Sequence, residues 1–131
     1  MKNPSIFFVG AGNMGGAILN GLLKANYPAT QLSFLEPADA IAETFENAGV
    51  KRVKTFAEGY NNAEVLLLCV KPQIFSQLPA NWIKEFQLQA NVLKLPNIEN
   101  KTVISIMAGV TKEKIRQSIG DTENVRIMPN L

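Results

Sequence analysis

The sequence predicts an α/β fold in which a doubly wound, mainly parallel β-sheet lies between two layers of helices. Two observations lead to this prediction. Apolar runs of strand length alternate with segments of helical period along the whole chain, and the connections between them are short. The 131 residues suffice for one domain of ordinary size, and 47% of them are hydrophobic against 18% charged, a composition typical of a folded globular protein.

Six runs are predicted to form strands: Ser5–Val9, Gln31–Leu35, Val50–Thr55, Glu64–Val70, Thr102–Ala108 and Asn124–Met128. The first and fourth are almost continuously apolar, as expected for parallel strands that helices cover on both faces. The fourth run ends at Lys71-Pro72, because proline has no amide hydrogen to donate to a sheet.

The first two helices are predicted from apolar spacing. From Asn13 apolar residues recur at intervals of three and four, which places them on one face of a helix. The second helix begins near Pro37 and ends at Gly49, because proline favours the first turn and glycine the end of a helix. Its buried face is predicted to carry Ile41, Phe45 and Ala48.

The second half of the chain predicts two more helices. The first follows the fourth strand and is interrupted or kinked near Pro79. The stretch Gln87–Asn100 is the least regular and predicts a loop-rich connection. The last helix has Thr111 as its N-cap and Glu113 in its first turn, which suits the positive end of a helix.

Composition excludes several classes of function. The chain has no histidine and one cysteine, Cys69, which excludes Ser-His-Asp and Cys-His catalysis, histidine-containing metal sites and intramolecular disulfides. Cys69 lies in an apolar run and is expected to be a buried, unreactive thiol. The net charge of +2 predicts no grip on nucleic acid or an acidic membrane, and no apolar run is long enough to span a bilayer.

A glycine-rich turn, Gly10-Ala11-Gly12-Asn13-Met14-Gly15, follows the first strand and opens the first helix. This is the context that the GxGxxG motif of dinucleotide-binding, Rossmann-type folds requires. The first glycine makes the tight turn, the second admits a pyrophosphate and the third allows close packing of helix on strand. Glycines that merely make a turn are the alternative interpretation.

Glu36 ends the second strand, 21 residues after Gly15. A carboxylate at this position accepts the hydroxyls of the adenosine ribose and repels a 2′-phosphate, which favours NADH over NADPH. A solvated acid ahead of a helix is the alternative. Arg52 and Lys54 on the neighbouring third strand could still neutralise a 2′-phosphate.

Four motifs together resemble the pyrroline-5-carboxylate reductase family. They are Gly10-Ala11-Gly12-Asn13-Met14, Val70-Lys71-Pro72-Gln73, Ser105-Ile106-Met107-Ala108-Gly109-Val110-Thr111 and Arg126-Ile127-Met128-Pro129-Asn130. The resemblance implies reduction of the C=N bond of 1-pyrroline-5-carboxylate by NAD(P)H to give L-proline, the last step of proline biosynthesis. The single cysteine separately suits a cytoplasmic protein. A protonated imine is already electrophilic, so orientation of the two reactants matters more than a positioned base.

The resemblance also implies which residues bind the cofactor. The pyrophosphate, the adenosine ribose and the nicotinamide end would be held by Val9, Gly10, Ala11, Gly12, Asn13, Met14, Glu36, Cys69, Val70, Lys71, Pro72, Met107 and Ala108. No residue is assigned a catalytic or metal-binding role, and the Lys71 side chain is not taken as catalytic.

Residues 1–131 are expected to form one NAD(P)-binding domain, and the family continues beyond this point into a helical domain. That domain builds the homo-oligomer and most of the imino-acid pocket, so this chain alone is expected to bind cofactor without turnover. Three features depart from the family pattern. They are Glu36, the length of the stretch Gln87–Asn100, and Leu131, which stands where a threonine is common. A stand-alone dinucleotide-binding or regulatory module and a 3-hydroxyacid dehydrogenase are the competing interpretations.

Overall fold

A computed structural model describes residues 3–89 and 93–128 of the chain. It contains six strands: β1 (Ile6–Val9), β2 (Leu32–Leu35), β3 (Lys51–Arg52), β4 (Val65–Leu68), β5 (Thr102–Ser105) and β6 (Val125–Ile127). They form one sheet in the order β3-β2-β1-β4-β5-β6, and every pairing between neighbours is parallel. The predicted doubly wound parallel sheet is confirmed.

Six α-helices flank the sheet: α1 (Asn13–Lys24), α2 (Asp39–Asn47), α3 (Phe56–Asn61), α4 (Pro72–Phe75), α5 (Leu78–Phe86) and α6 (Lys112–Ile119). Short 3-10 turns cover Ala29–Gln31 and Ile98–Asn100. From β1 the chain proceeds outwards to β2 and β3, then returns to place β4 on the other side of β1. The strand order therefore reverses between β1 and β4, and folds of this class bind ligands at that point.

The core has two halves, one on each face of the sheet. Alternate residues of β1 divide between them: Phe7 and Val9 face the half that contains residues of α3, α5 and α6, whereas Phe8 faces the half beneath α1 and α2. All three are at most 1% exposed. This burial on both faces explains why β1 and β4 are continuously apolar rather than alternating.

Aromatic side chains dominate the first half of the core. The Phe56 ring lies 4.7 Å from that of Trp82 and 5.4 Å from that of Tyr60, measured between centroids. Gly59 permits α3 to approach the sheet closely, because a Cβ there would collide with the Phe7 ring. Aromatic pairs at these separations stabilise a core beyond the effect of their buried area.

Lys101 is a buried lysine at the amino end of β5. Its Nζ donates to the carbonyl oxygens of Tyr60 (2.7 Å), in the last turn of α3, and Ala63 (2.6 Å), just after that helix, and lies 4.4 Å from the Tyr60 ring centroid. Burial lowers the pKa of this ammonium group, whereas the carbonyl oxygens at a helix end favour a cation. Lys101 therefore ties α3 to the central sheet.

Several predicted boundaries were wrong. The strands are shorter than the apolar runs, and β3 keeps only two residues because the chain leaves the edge of the sheet at Val53. The Val53 amide still donates to the carbonyl oxygen of Phe34 in β2 (2.9 Å). On α2 the buried residues are Ala42 and Phe45, and Ile41 is 37% exposed rather than part of the core.

The helices between β3 and β5 also differ from expectation. Helix α3 was not predicted, although Thr55 caps it by accepting a hydrogen bond from the Glu58 amide (3.2 Å), a pairing whose sequence signature is Thr-x-x-Glu. The predicted interruption near Pro79 is a break before Leu78, and proline occupies the first turn of α5.

The stretch Gln87–Asn100 is loop-rich as predicted, but it contributes Leu95 and Ile98 to the core, both without exposed surface. Residues 90–92 of this stretch lie outside the described residues, as do Pro129, Asn130 and Leu131. Thr111 caps α6 as predicted, because its Oγ1 accepts from the Lys114 amide (3.1 Å). In the described part of the chain, no helix has the length and apolar character needed to cross a membrane.

Candidate dinucleotide-binding site

A cleft of about 1100 Å³ lies at the carboxyl ends of β1, β2, β4 and β5. Twelve of the thirteen predicted site residues line it: Val9, Gly10, Gly12, Asn13, Met14, Glu36, Cys69, Val70, Lys71, Pro72, Met107 and Ala108. The exception is Ala11, which is 1% exposed. The cleft therefore follows the edge of the sheet where the strand order reverses.

Several further residues line the cleft that were not predicted to bind the cofactor, notably Pro37, Ile41, Val53, Leu78 and Ile106. They come from segments that follow β2 and β3, from the start of α5 and from the end of β5. The predicted parallel topology could have identified them, because segments that follow parallel strands meet at one edge of the sheet. Ile41 is exposed because it faces this cleft.

Gly10 and Gly15 shape the turn after β1. Gly10 has a φ of +97°, and a Cβ there would lie 2.9 Å from Val70 Cγ1. A Cβ on Gly15 would lie 2.7 Å from the Gly10 carbonyl oxygen and 2.9 Å from the Cys69 Cβ. The tight turn and the close packing of α1 on β4 that these glycines were predicted to permit are both confirmed.

Gly12 differs, because a Cβ there would meet no atom within 4 Å. It precedes α1 and its carbonyl oxygen accepts from the Gly16 amide (2.6 Å). No side chain caps α1, so the amides of its first turn are left for another acceptor. The turn thus combines a free space beside the backbone with the positive end of a helix, and these two features fit a pyrophosphate.

Glu36 connects the glycine-rich turn to the segment after β2. Its Oε1 accepts from the Ala11 amide (3.0 Å) and its Oε2 accepts from the Ala38 amide (3.1 Å). Each oxygen retains a lone pair for a further donor. The carboxylate is half-buried at the edge of the cleft. It therefore stabilises the loop and presents acceptors to a ligand at the same time.

Cys69 and Val70 follow β4 on the floor of the cleft. Cys69 was predicted to be buried, but it is partly exposed where it lines the cleft. Its partial burial still raises the pKa of the thiol to about 12, which fits the prediction of an unreactive thiol. Its Sγ donates to the Leu67 carbonyl oxygen at 3.5 Å. At neutral pH this side chain is therefore an uncharged wall of the cleft.

Lys71 and Pro72 begin α4 at the mouth of the cleft. Lys71 has extended backbone angles, and its carbonyl oxygen accepts from the amides of Ile74 (2.9 Å) and Phe75 (3.0 Å). Proline in the first turn fixes the direction in which the helix leaves β4. These bonds fix the backbone at Lys71, which is exposed at the edge of the cleft that it lines.

The segment after β5 forms the opposite wall. The Ile106 amide donates to the Leu68 carbonyl oxygen (3.1 Å), and the Met107 amide donates to the hydroxyl of Ser105 (3.2 Å), a residue without exposed surface. These bonds hold the start of the segment against β4, and Met107 and Ala108 line the same cleft as Val70. Val70, Ile106 and Met107 give this end of the cleft a largely apolar lining.

A smaller crevice of about 260 Å³ lies between α3 and α5. It meets the main cleft at Leu35, Lys54 and Leu78, which line both. Among residues 3–89 and 93–128, no three or more His, Cys, Asp or Glu side chains gather in a way that could hold a metal ion.

The strand order and the glycine-rich turn define a dinucleotide-binding fold of the Rossmann type. A family profile described as "NADP oxidoreductase coenzyme F420-dependent" matches residues 5–109. The match covers most of the chain, which therefore belongs to this family.

Individual relatives confirm the resemblance found from the motifs. The pyrroline-5-carboxylate reductase of Pasteurella multocida (strain Pm70) is 35% identical over 135 residues, which cover 99% of this chain and 45% of that protein. A solved pyrroline-5-carboxylate reductase from Coxiella burnetii is 28% identical with a TM-score of 0.77, covering 99% of this chain and 45% of that one.

The fold recurs in the Plasmodium falciparum pyrroline carboxylate reductase, solved with NADP bound. That structure is 24% identical with a TM-score of 0.69, and the match covers 95% of this chain and 41% of that one. The chain thus spans less than half the length of the relatives that it matches.

Proposed function

We propose that residues 1–131 are the NAD(P)H-binding domain of a pyrroline-5-carboxylate reductase. The observation that carries the proposal is the geometry of the turn after β1. Gly12 borders free space, and no side chain caps α1. Both features favour the approach of a pyrophosphate to backbone amides. The names of the relatives support the particular reaction, which is reduction of 1-pyrroline-5-carboxylate to L-proline.

The reaction asks for orientation rather than for a general base. NADH supplies a hydride when bound, and the imine carbon of a protonated C=N group accepts it without prior activation. The chain's part would be to hold the nicotinamide between Val70 and Met107, on an apolar and uncharged surface. Alignment of two reactants in this way accounts for a large share of the rate of such a transfer. The absence of histidine from the sequence is compatible with this chemistry.

We infer a preference for NADH over NADPH from Glu36. Its two oxygens are held by the amides of Ala11 and Ala38, so the carboxylate is fixed beside the place where a Rossmann-type fold holds the adenosine ribose. Acceptors fixed there suit the two hydroxyls of an unphosphorylated ribose, and their charge opposes a 2′-phosphate.

The remaining parts of the proposal concern the whole protein. Its substrate would be a small anionic imino acid, and a homo-oligomer would form through a region comparable to the part of the relatives that this chain does not span. A cytoplasmic location stays a prediction from the single cysteine, which suits a reducing compartment.

A chimera tests the proposed function. Residues 1–131 replace the matching part of the Pasteurella multocida relative, and the loss of NADH absorbance is followed with 1-pyrroline-5-carboxylate. The chimera should reduce this imine, whereas the same chimera with Gly12→Val should not. Oxidation of a 3-hydroxy acid, or cofactor binding without reduction of the imine, would contradict the proposal.

A further inference from the structure

Arg52 lies beside Glu36 at the adenosine end of the cleft. Its Nη2 donates to the Glu36 carbonyl oxygen (2.8 Å) and to Asp39 Oδ1 (3.0 Å), and its Nη1 lies 4.0 Å from Glu46 Oε1. The Arg52 side chain is 27% exposed, against 91% for Asp39 and 49% for Glu46. We call Arg52, Asp39 and Glu46 the arginine clamp.

The position of the arginine clamp matters for the choice of cofactor. Arg52, Glu46 and Glu36 all line the cleft, and Rossmann-type folds that take NADP use an arginine near this carboxylate to accommodate the 2′-phosphate. The chain therefore carries the required cation at a suitable place. Its guanidinium, however, already donates to oxygens of the protein.

We propose that Asp39 and Glu46 are specificity-determining residues, which act by holding Arg52 away from a 2′-phosphate. This inference rests on the proposed dinucleotide site. A 2′-phosphate would have to compete with Asp39 and with the Glu36 carbonyl oxygen for the same guanidinium donors. It would also bring two negative charges close to three carboxylates. Because of the arginine clamp, the Arg52 guanidinium does not raise the affinity for NADPH, although a free cation at this place would.

A titration of variants in which carboxylates are replaced by uncharged amides tests the arginine clamp. The chain, the double variant Asp39→Asn/Glu46→Gln and the control Glu43→Gln are titrated with NADH and NADPH by calorimetry. Glu43 lies on the same helix and is exposed, and it shares no ion pair with Arg52 among the described residues. Its variant removes one carboxylate charge from the same helix, against the two that the double variant removes, and leaves the clamp intact.

The double variant should bind NADPH about 3- to 10-fold more tightly, because each exposed ion pair is worth no more than a few-fold in an equilibrium constant. Its NADH affinity should stay within about twofold of the unchanged chain, and Glu43→Gln should leave both affinities within the same limit. An unchanged NADPH affinity in the double variant would overturn the inference, as would an equal gain in Glu43→Gln.

A thermodynamic cycle separates the clamp from simple repulsion. In an Arg52→Met background, Asp39→Asn/Glu46→Gln should no longer improve NADPH binding, because the cation that it releases is gone. A gain that persists there would show that the carboxylates act on the phosphate directly, and the clamp would be rejected. If the unchanged chain bound no NADH, the proposed function would fail, and this inference with it.

Discussion

The Ala11 amide donates to Glu36 Oε1 at 3.0 Å across 25 residues of chain. This bond joins the glycine-rich turn after β1 to the segment after β2, and the Ala38 amide occupies the other carboxylate oxygen. Glu36 thereby fixes two loops that border the cleft. The same side chain is expected to serve the stability of the loops and the recognition of the cofactor.

Replacement of Glu36 should therefore affect both properties. Glu36→Ala leaves two amides without an acceptor, which should lower the free energy of unfolding by about 1–3 kcal/mol. NADH affinity should fall about tenfold or more, since the ribose also loses its acceptor. Urea unfolding and calorimetry measure the two effects. Glu36→Gln should be intermediate, because its amide oxygen can still accept from Ala11. A Glu36→Ala variant with unchanged stability would show that the two bonds contribute nothing.

Gly12 separates ligand binding from folding. Gly12→Val should abolish NADH binding because the side chain fills the space beside the turn, yet it should lower the free energy of unfolding by no more than about 1 kcal/mol. Gly21→Ala is the control, since its added methyl also meets no atom within 4 Å but lies on the exposed side of α1. That variant should bind NADH normally and gain about 0.5–1 kcal/mol of stability. Retained affinity in Gly12→Val would remove the assigned pyrophosphate site.

The Cys69 thiol should make the fold sensitive to alkali. Its pKa rises from 9.0 to about 12 on folding, so above pH 9.0 the unfolded chain releases a proton that the folded chain retains. The contribution to stability is constant below that pH and falls as pH rises towards 12, by at most about 1.4 kcal/mol per pH unit.

Comparison with Cys69→Ala isolates this effect, because other titrating groups are common to both proteins. Urea unfolding at about pH 8 and about pH 10.5 should show a smaller loss of stability in the variant than in the unchanged chain. Equal losses would mean that the thiol titrates alike in both states.

Trp82 tests the aromatic core. Its side chain is fully buried, and its Nε1 has no hydrogen-bond partner in the described structure. Trp82→Phe should therefore cost less than about 1.5 kcal/mol, because the lost volume is partly offset by removal of an unsatisfied donor. Trp82→Ala should cost about 3–5 kcal/mol. Urea unfolding measures both costs, and a cost of Trp82→Phe well above about 1.5 kcal/mol would imply that the indole N–H has a partner which the variant leaves unpaired.

The doubly wound parallel sheet and the location of the cleft could be predicted because they follow from patterns within single segments. Continuous apolar runs mark β1 and β4, and GxGxxG marks the turn between β1 and α1. Once the strands are parallel, the residues that follow them must meet at one edge. Twelve predicted residues therefore line one cleft although they were assigned from separate motifs.

Other features depend on contacts that no single segment reveals. From the sequence alone, Lys101 would be expected to be exposed to solvent. It can be buried because its Nζ donates to two carbonyl oxygens near the end of α3. From the sequence, Arg52 would be expected to be an unpaired cation. In the structure its guanidinium donates to the Glu36 carbonyl oxygen and to Asp39 Oδ1. Ala11 belongs to the motif but turns its amide to Glu36 instead of the cleft. Helix α3 could not be predicted from apolar periodicity, because its six residues are too few to show a helical repeat.

The most direct test of the proposed site is a titration of the isotopically labelled chain with NADH, followed through its backbone amide resonances. The proposed site predicts saturable shifts at Gly12, Asn13 and Met14, at Glu36, and at Val70 and Ala108, residues that line the cleft along its length. Shifts confined to the crevice between α3 and α5, or an unchanged spectrum at saturating NADH, would contradict it.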